Sequence, residues 1–294
     1  MRIIARMAFD SNGIKFLLYA SKIGADFRLT ATLGRQYNYA PAEAIHKLFT
    51  TAGILTFEAG AIQAALDRHE GYSEGLFQLF GAESVESFDA SDFEDAMHIH
   101  DLNYPIADEF KNAYSVVLDG GTLEHVFNYP AALKNGMEMV NEGGHLLGIT
   151  PVNNFSGHGF YQFSPELFFR TFCAENGYEM KDLIFMEDLP DAPWYRVADP
   201  ARLGRRVTFE NARPAYLLLI AKRVEIKPIF ERFPQQSDYS AAWKSENGER
   251  DDDNAAPGFI ERIPGAVSRR LKKLTRPDAI RYETGDLVRF DPFG

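Results

Sequence analysis

The chain carries a single cysteine, Cys173, so no disulfide within it can brace the fold, and the paired-cysteine spacing of a structural zinc site is missing. Basic residues are in deficit too. The 31 Lys and Arg face 42 Asp and Glu, a formal net charge of −11, which argues against the broad basic surface that binds nucleic acid. No apolar run approaches the roughly 20 residues needed to span a bilayer. The start lacks the basic, apolar and small-residue succession of an export signal, so a soluble, cytoplasmic protein is expected. Neither a serine-nucleophile elbow nor a phosphate loop ending in Gly-Lys-Ser or Gly-Lys-Thr occurs. His98 and His100 sit two apart with no further ligand near them in sequence, so no metal site is expected. What remains is chemistry on a small molecule.

The most informative stretch runs from residue 114 to 151. Tyr114 to Leu118 is apolar, short and rich in β-branched residues, which predicts a strand buried on both faces, ending at Asp119-Gly120-Gly121. Asn128 then suits a helix cap and Pro130 a first turn. Leu133, Met137 and Val140 follow at helical spacing, and Gly143 is the expected stop. His145 to Thr150 reads as a second buried strand. Strand, helix, strand implies a right-handed parallel crossover, in which ligands sit beyond the carboxyl ends of the strands.

Leu123-Glu124-His125-Val126 and Gly143-Gly144-His145-Leu146-Leu147 in this unit resemble the fourth-strand to fifth-strand half of the class I S-adenosylmethionine-dependent methyltransferases. The resemblance covers roughly residues 29 to 224. It implies an α/β, Rossmann-like doubly wound sheet of seven strands, the last antiparallel, with S-adenosyl-L-methionine as cofactor. Residues 1–28 would be a covering segment, 29–224 the methyltransferase-like domain, and 225–294 a C-terminal extension.

In that family a strand-to-helix turn with several glycines passes under the methionine part of the cofactor. Here only Gly34 stands at that place, followed by Arg35 and Gln36. Arg35 would pair with the cofactor's carboxylate, or make an ion pair of its own. Three acids close successive strands. The resemblance gives Asp89, after 81–88, to the ribose hydroxyls, with helix capping its alternative, although Ser91 and Glu94 form a capping box for a following helix. It gives Asp101 to the adenine amine and Leu102 to the ring; an Asx-turn into Pro105 is the other reading. Asp119 and Gly120 would line the methionine side with Gly34.

Residues 153 to 163 form a polar, Gly-rich loop over the strand ends, and Ser164-Pro165-Glu166 opens a helix. His158, between two glycines, and His125 are the candidates for a general base that takes a hydroxyl proton during methyl transfer; a structural His125 and a solvated His158 are their alternatives. A loop between strands 179–187 and 214–224 holds Trp194, Tyr195 and Arg196. With Tyr161, Trp194 and Arg196 would hold a small-molecule or glycan acceptor, or face another subunit of a homo-oligomer. An oxygen acceptor of polysaccharide biosynthesis is the preferred substrate. A catalytically degenerate scaffold is the alternative, motivated by the depleted glycine turn. Residues 227–243 are expected as an extended arm and 244–256 as disordered. Residues 262–276 read as a basic amphipathic helix suited to an anionic membrane or to the chain's own acidic body.

Overall fold

The computed structural model describes residues 9–54, 57–246 and 279–293. The expected basic helix at 262–276 lies outside them, as does 247–256 of the expected linker.

The first described element is a helix, α1 (Ser11–Lys22), capped by Asp10, whose carboxylate accepts from the backbone N–H of Asn12 and Gly13. Ile14, Phe16, Leu17, Leu18 and Ala20 are fully buried, so α1 packs into the core of the domain. Strand β1 (Leu29–Leu33) follows, then α2 (Ala42–Thr51), α3 (Ala59–Asp67) and α4 (Glu74–Leu79). Ile45, Phe49, Ile62, Leu76 and Phe77 bury their apolar sides with α1. Strands β2 (Ser84–Asp89) and β3 (His98–Ile99) come next, and no helix separates them, so Ser91 and Glu94 cap nothing. The Ser91 hydroxyl instead accepts the N–H of Phe93 in a tight bend, 3.4 Å.

The central unit is β4 (Tyr114–Asp119), α5 (Tyr129–Met139) and β5 (Val140–Asn153). Helix α5 stops at Met139, four residues before Gly143. Val140 starts β5, and Gly143 serves the beginning of that strand with φ +86°. Asn128 precedes the helix without a side-chain cap. Its backbone N–H and amide both bond Asn103. Helix α6 (Pro165–Thr171), β6 (Tyr178–Glu187), β7 (Trp194–Val197), α7 (Pro200–Leu203), β8 (Phe209–Glu210) and β9 (Ala215–Arg223) follow. Helix α8 (Ser237–Glu246) stands where an extended arm was expected, and β10 (Arg281–Tyr282) and β11 (Leu287–Phe290) close the described chain.

The main sheet has nine strands rather than seven, in the order β11-β7-β6-β9-β5-β4-β1-β2-β3. Strands β5, β4, β1, β2 and β3 run parallel to one another. Strand β9 runs antiparallel between β5 and β6, as expected of the last strand of the core. The two extra strands, β7 and β11, extend the edge beyond β6. Alternate residues feed opposite layers. Val116, Leu118, Leu147 and Leu218 face α1 to α4, while Val117, Leu146, Leu217 and Leu219 face α5 and α6. This is a Rossmann-like, doubly wound α/β fold. The chain leaves β1 toward β2 and β3, then returns to place β4 on the other side of β1, so the topological switch point lies between β1 and β4. No described helix is long and apolar enough to cross a membrane.

Candidate functional site

Beyond the carboxyl ends of β1 and β4 the two connecting turns meet. Gly34 has φ +76° and donates its N–H to the Phe88 carbonyl at 2.7 Å, tying the end of β1 to the end of β2. A Cβ at Gly34 would collide with the Thr122 hydroxyl, and one at Gly120 would come within 2.6 Å of Gln36 Oε1. The buried Gln36 side chain therefore fills the floor between the two glycines. Its amide donates to the Leu33 carbonyl at 2.9 Å and to the Thr122 hydroxyl at 3.2 Å. One side chain thus ties the backbone at the end of β1 to the Thr122 hydroxyl in the turn after β4. Sequence reading passed over Gln36, whose only signal is its place two residues after Gly34.

Arg35 points elsewhere. Its Nε bonds Glu74 at 2.7 Å, its Nη1 bonds the Glu94 and Asp95 carbonyls, and its guanidinium lies 4.0 Å above the Tyr72 ring. These partners hold it as a tie between α4 and the bend after β2. Asp89, half-buried, keeps its place at the end of β2, with Oδ1 3.3 Å from the Ser91 N–H. Asp101 is exposed, and its Oδ1 accepts both the backbone N–H and the amide of Asn103, which holds its carboxyl below the usual range; this is the Asx-turn. Leu102 is buried in the core, and its carbonyl accepts from Asn135. The three strand-end acids thus occupy three environments rather than one wall.

Asp119 is buried. Its Oδ1 accepts the N–H groups of Gly121, Thr122 and Leu123, fixing the turn, while its Oδ2 has no partner. Burial pushes its carboxyl up to about 6 against those lowering hydrogen bonds. Five residues on, in the short 3-10 turn Leu123–His125, Glu124 is wholly buried, and burial followed by the nearby Asp119 pushes it up to about 8. The loop after β5 folds onto this residue. Phe160 donates its N–H to the Glu124 carbonyl, and Gly159, at φ +66°, lies so close that a Cβ would meet that carbonyl at 2.8 Å. This clamp brings His158 Nε2 to 3.3 Å from Glu124 Oε1, and His125 Nε2 lies 3.8 Å from the same oxygen. The two imidazoles meet edge to face at 4.8 Å, and burial lowers both of their pKa values, that of His125 further through His158. Glu124, His125 and His158 thus form the one group among the described residues able to offer three ligand atoms to a metal ion. Sequence reading missed it because Glu124 and His158 are 34 residues apart.

Tyr161 sits beside the cluster, its hydroxyl donating to the Phe127 carbonyl at 2.6 Å, and the exposed Phe127 and Phe160 rings stand 5.8 Å apart next to it. The other two expected acceptor contacts are elsewhere. Trp194 is 1% exposed and packs on Tyr19 and Phe290 in the core. Arg196 makes a two-pronged ion pair with the buried Asp182 and also donates to the Tyr19 hydroxyl. Both belong to β7, four strands from β4, or roughly 19 Å at the usual strand spacing.

No family model matches the chain, and no curated protein matches it. Among solved structures, a protein from Bacillus halodurans named as a methyltransferase is 10% identical, with 71% of this chain and 99% of that one covered and a TM-score of 0.39. A branched-chain polyamine synthase from Thermus thermophilus, solved with N4-aminopropylspermidine and 5'-methylthioadenosine, is 13% identical over 78% of this chain and 60% of its own, at 0.38. The 1,6-didemethyltoxoflavin-N1-methyltransferase of Burkholderia thailandensis is 10% identical over 73% and 78%, at 0.36. Likeness this distant carries no weight beside the strand order and the site itself.

Proposed function

We propose that this chain transfers a methyl group from S-adenosylmethionine to a hydroxyl of a small polar acceptor, a sugar or glycan precursor being the preferred class. The observation that carries the reading is the meeting, at the β1–β4 switch point, of two glycine-containing turns with the half-buried His158 and the exposed His125. One feature of the residues fits an adenosyl ligand, while the space beside Gly34 and Gly120 is taken by the Thr122 and Gln36 side chains. Asp89 offers a half-buried carboxylate at the neighbouring strand end, suited to a ribose diol. When bound, S-adenosylmethionine supplies an already activated methyl carbon, so the protein's task is alignment, exclusion of water and removal of one proton.

His158 is suited to the last of these. Burial keeps its imidazole neutral at pH 7, and Glu124 fixes its orientation from behind. The aromatic pair Phe127 and Phe160, with Tyr161, offers faces on which a sugar ring can stack. Arg35, Asp101, Leu102, Trp194 and Arg196 are left out of this assignment because their side chains are engaged or directed elsewhere.

A second reading has its own observation. Gln36 fills the floor where the family's glycines would leave space, as a fold that has given up its cofactor would allow. Titration calorimetry of the full chain with S-adenosylmethionine and S-adenosylhomocysteine separates the two. Micromolar binding is expected for the enzyme; absence of heat at millimolar ligand selects the scaffold.

A further inference from the structure

The geometry points to a divalent transition-metal site formed by Glu124, His125 and His158. The inference rests on this cluster alone and does not need methyl transfer to be correct. Two imidazoles and a carboxylate are the donor set favoured by zinc and its first-row neighbours, and in catalytic sites of this kind further coordination positions stay open. Metal–ligand bonds of about 2.0–2.1 Å place tetrahedral donor atoms about 3.3 Å apart. The His158 to Glu124 separation is 3.3 Å, the His125 to Glu124 separation 3.8 Å, and all three donor atoms lie within 4.8 Å of one another. Closing the widest gap asks only for a turn of the His125 ring, whose side chain is 48% exposed.

A second observation separates this cluster from a chance meeting of polar groups. Glu124 is 0% exposed, and its Oε2 has no hydrogen-bond partner among the described residues. An orphaned buried oxygen costs roughly 1–3 kcal/mol unless something supplies a partner, and a cation held by both oxygens of this carboxylate together with the two imidazoles would do so. The site is also built from two elements. Glu124 and His125 come from the turn after β4, and His158 comes from the loop after β5. The close approach of Gly159 to the Glu124 carbonyl and the Phe160 N–H bond hold that loop in place. His98 with Glu86, 2.8 Å apart on β2 and β3, supplies an internal comparison, since that carboxylate already accepts the Tyr114 hydroxyl and no third ligand joins it among the described residues. A cation on His158 Nε2 and a proton on the same atom exclude each other. His158 is therefore a ligand in the metal-bound chain and a base only in the metal-free one.

The test is calorimetric titration of zinc alone into the full chain after dialysis against a chelator. One equivalent bound at micromolar affinity or tighter is expected. His125→Ala, His158→Ala and the isosteric Glu124→Gln should each weaken binding by about tenfold to a hundredfold, the range seen when even outer ligand partners are lost. His98→Ala should leave it unchanged. Thermal unfolding of each variant guards against mere misfolding, and a variant that does not fold is replaced by His158→Gln. No zinc binding, or equal affinity in the wild type and in both the His125 and His158 variants, overturns the site. S-adenosylhomocysteine titrated into the same preparations keeps the two assignments apart: its binding without zinc overturns the metal site alone, and zinc binding without it overturns the methyl-transfer reading alone.

Discussion

Glu124 Oε1 lies 3.3 Å from His158 Nε2, joining the turn after β4 to the loop after β5 across 34 residues of sequence. The buried carboxyl makes no other side-chain hydrogen bond among the described residues, so the contact is structural as well as chemical. In chelator-treated protein, His158→Ala removes the partner of a buried oxygen and is expected to cost roughly 1–2 kcal/mol. Urea unfolding at pH 7 reads this directly, and an unchanged midpoint would show the contact to be idle.

In the proposed function the ribose falls to Asp89, the half-buried acid at the end of β2. Asp89→Ala is expected to weaken S-adenosylhomocysteine binding about tenfold or more while shifting stability by less than about 0.5 kcal/mol, since its only side-chain bond among the described residues is a long one to Ser91. Parallel calorimetry and thermal unfolding check it. Equal affinity in wild type and variant would remove Asp89 from the site.

Gly34 combines φ +76° with a side that faces Thr122. Gly34→Ala meets both the left-handed backbone penalty and a steric collision, an expected loss of about 2 kcal/mol, measured by chemical denaturation. A smaller loss, on the order of 0.5 kcal/mol, would mean that the β1 turn relaxes easily and does not hold the crevice floor.

His145, buried in β5, has its pKa pushed down to about 4 by burial first and then by Lys222 and Lys181. The folded chain therefore resists a proton that the unfolded chain accepts near 6.5, and between these values the unfolded state binds more protons. Stability should rise with pH from about 4 to 6.5 and be flat above, a change of roughly 1–3 kcal/mol from this group. His145→Leu should flatten that part of the profile, as followed by denaturant unfolding at several pH values. An unchanged slope would assign the acid lability to other groups.

Arg196 pairs with a buried partner. Arg196→Ala leaves Asp182 and the Tyr19 hydroxyl without it, and because half of the Arg196 side chain is exposed the expected cost is roughly 1–3 kcal/mol. S-adenosylhomocysteine affinity should not change. A selective loss of ligand binding at normal stability would return Arg196 to the site.

What could be read in the sequence follows from which interactions are local. The apolar runs at 114–118 and 145–150 and the turn at Asp119-Gly120-Gly121 are written in neighbouring residues, the antiparallel last strand of the core is implied by the family resemblance, and the sheet order agrees with all of them. Trp194 misled because a short, polar-flanked segment reads as a loop. Pairing with β6 on one side and with Leu287–Phe290, more than ninety residues later, on the other turns it into a strand with its indole inside. Arg35 and Asp101 misled in the opposite way: each suits a ligand by position, yet Glu74 and Asn103 satisfy them locally. The Glu124–His158 pair escaped notice because no periodicity links its members. The glycines on either side of His158 were the only hint.

The pairing of β11 with β7 also bears on how any role of the tail could be approached. Phe290 packs against Trp194 and Tyr19, so shortening the chain ahead of Leu287 would strip a wall from the indole and bare the hydrogen-bonding rim of β7 to other chains. Clumping of such a shortened protein would then mimic or mask attachment to lipid vesicles. Charge reversal within an intact chain is the cleaner way to ask whether the basic stretch touches a membrane.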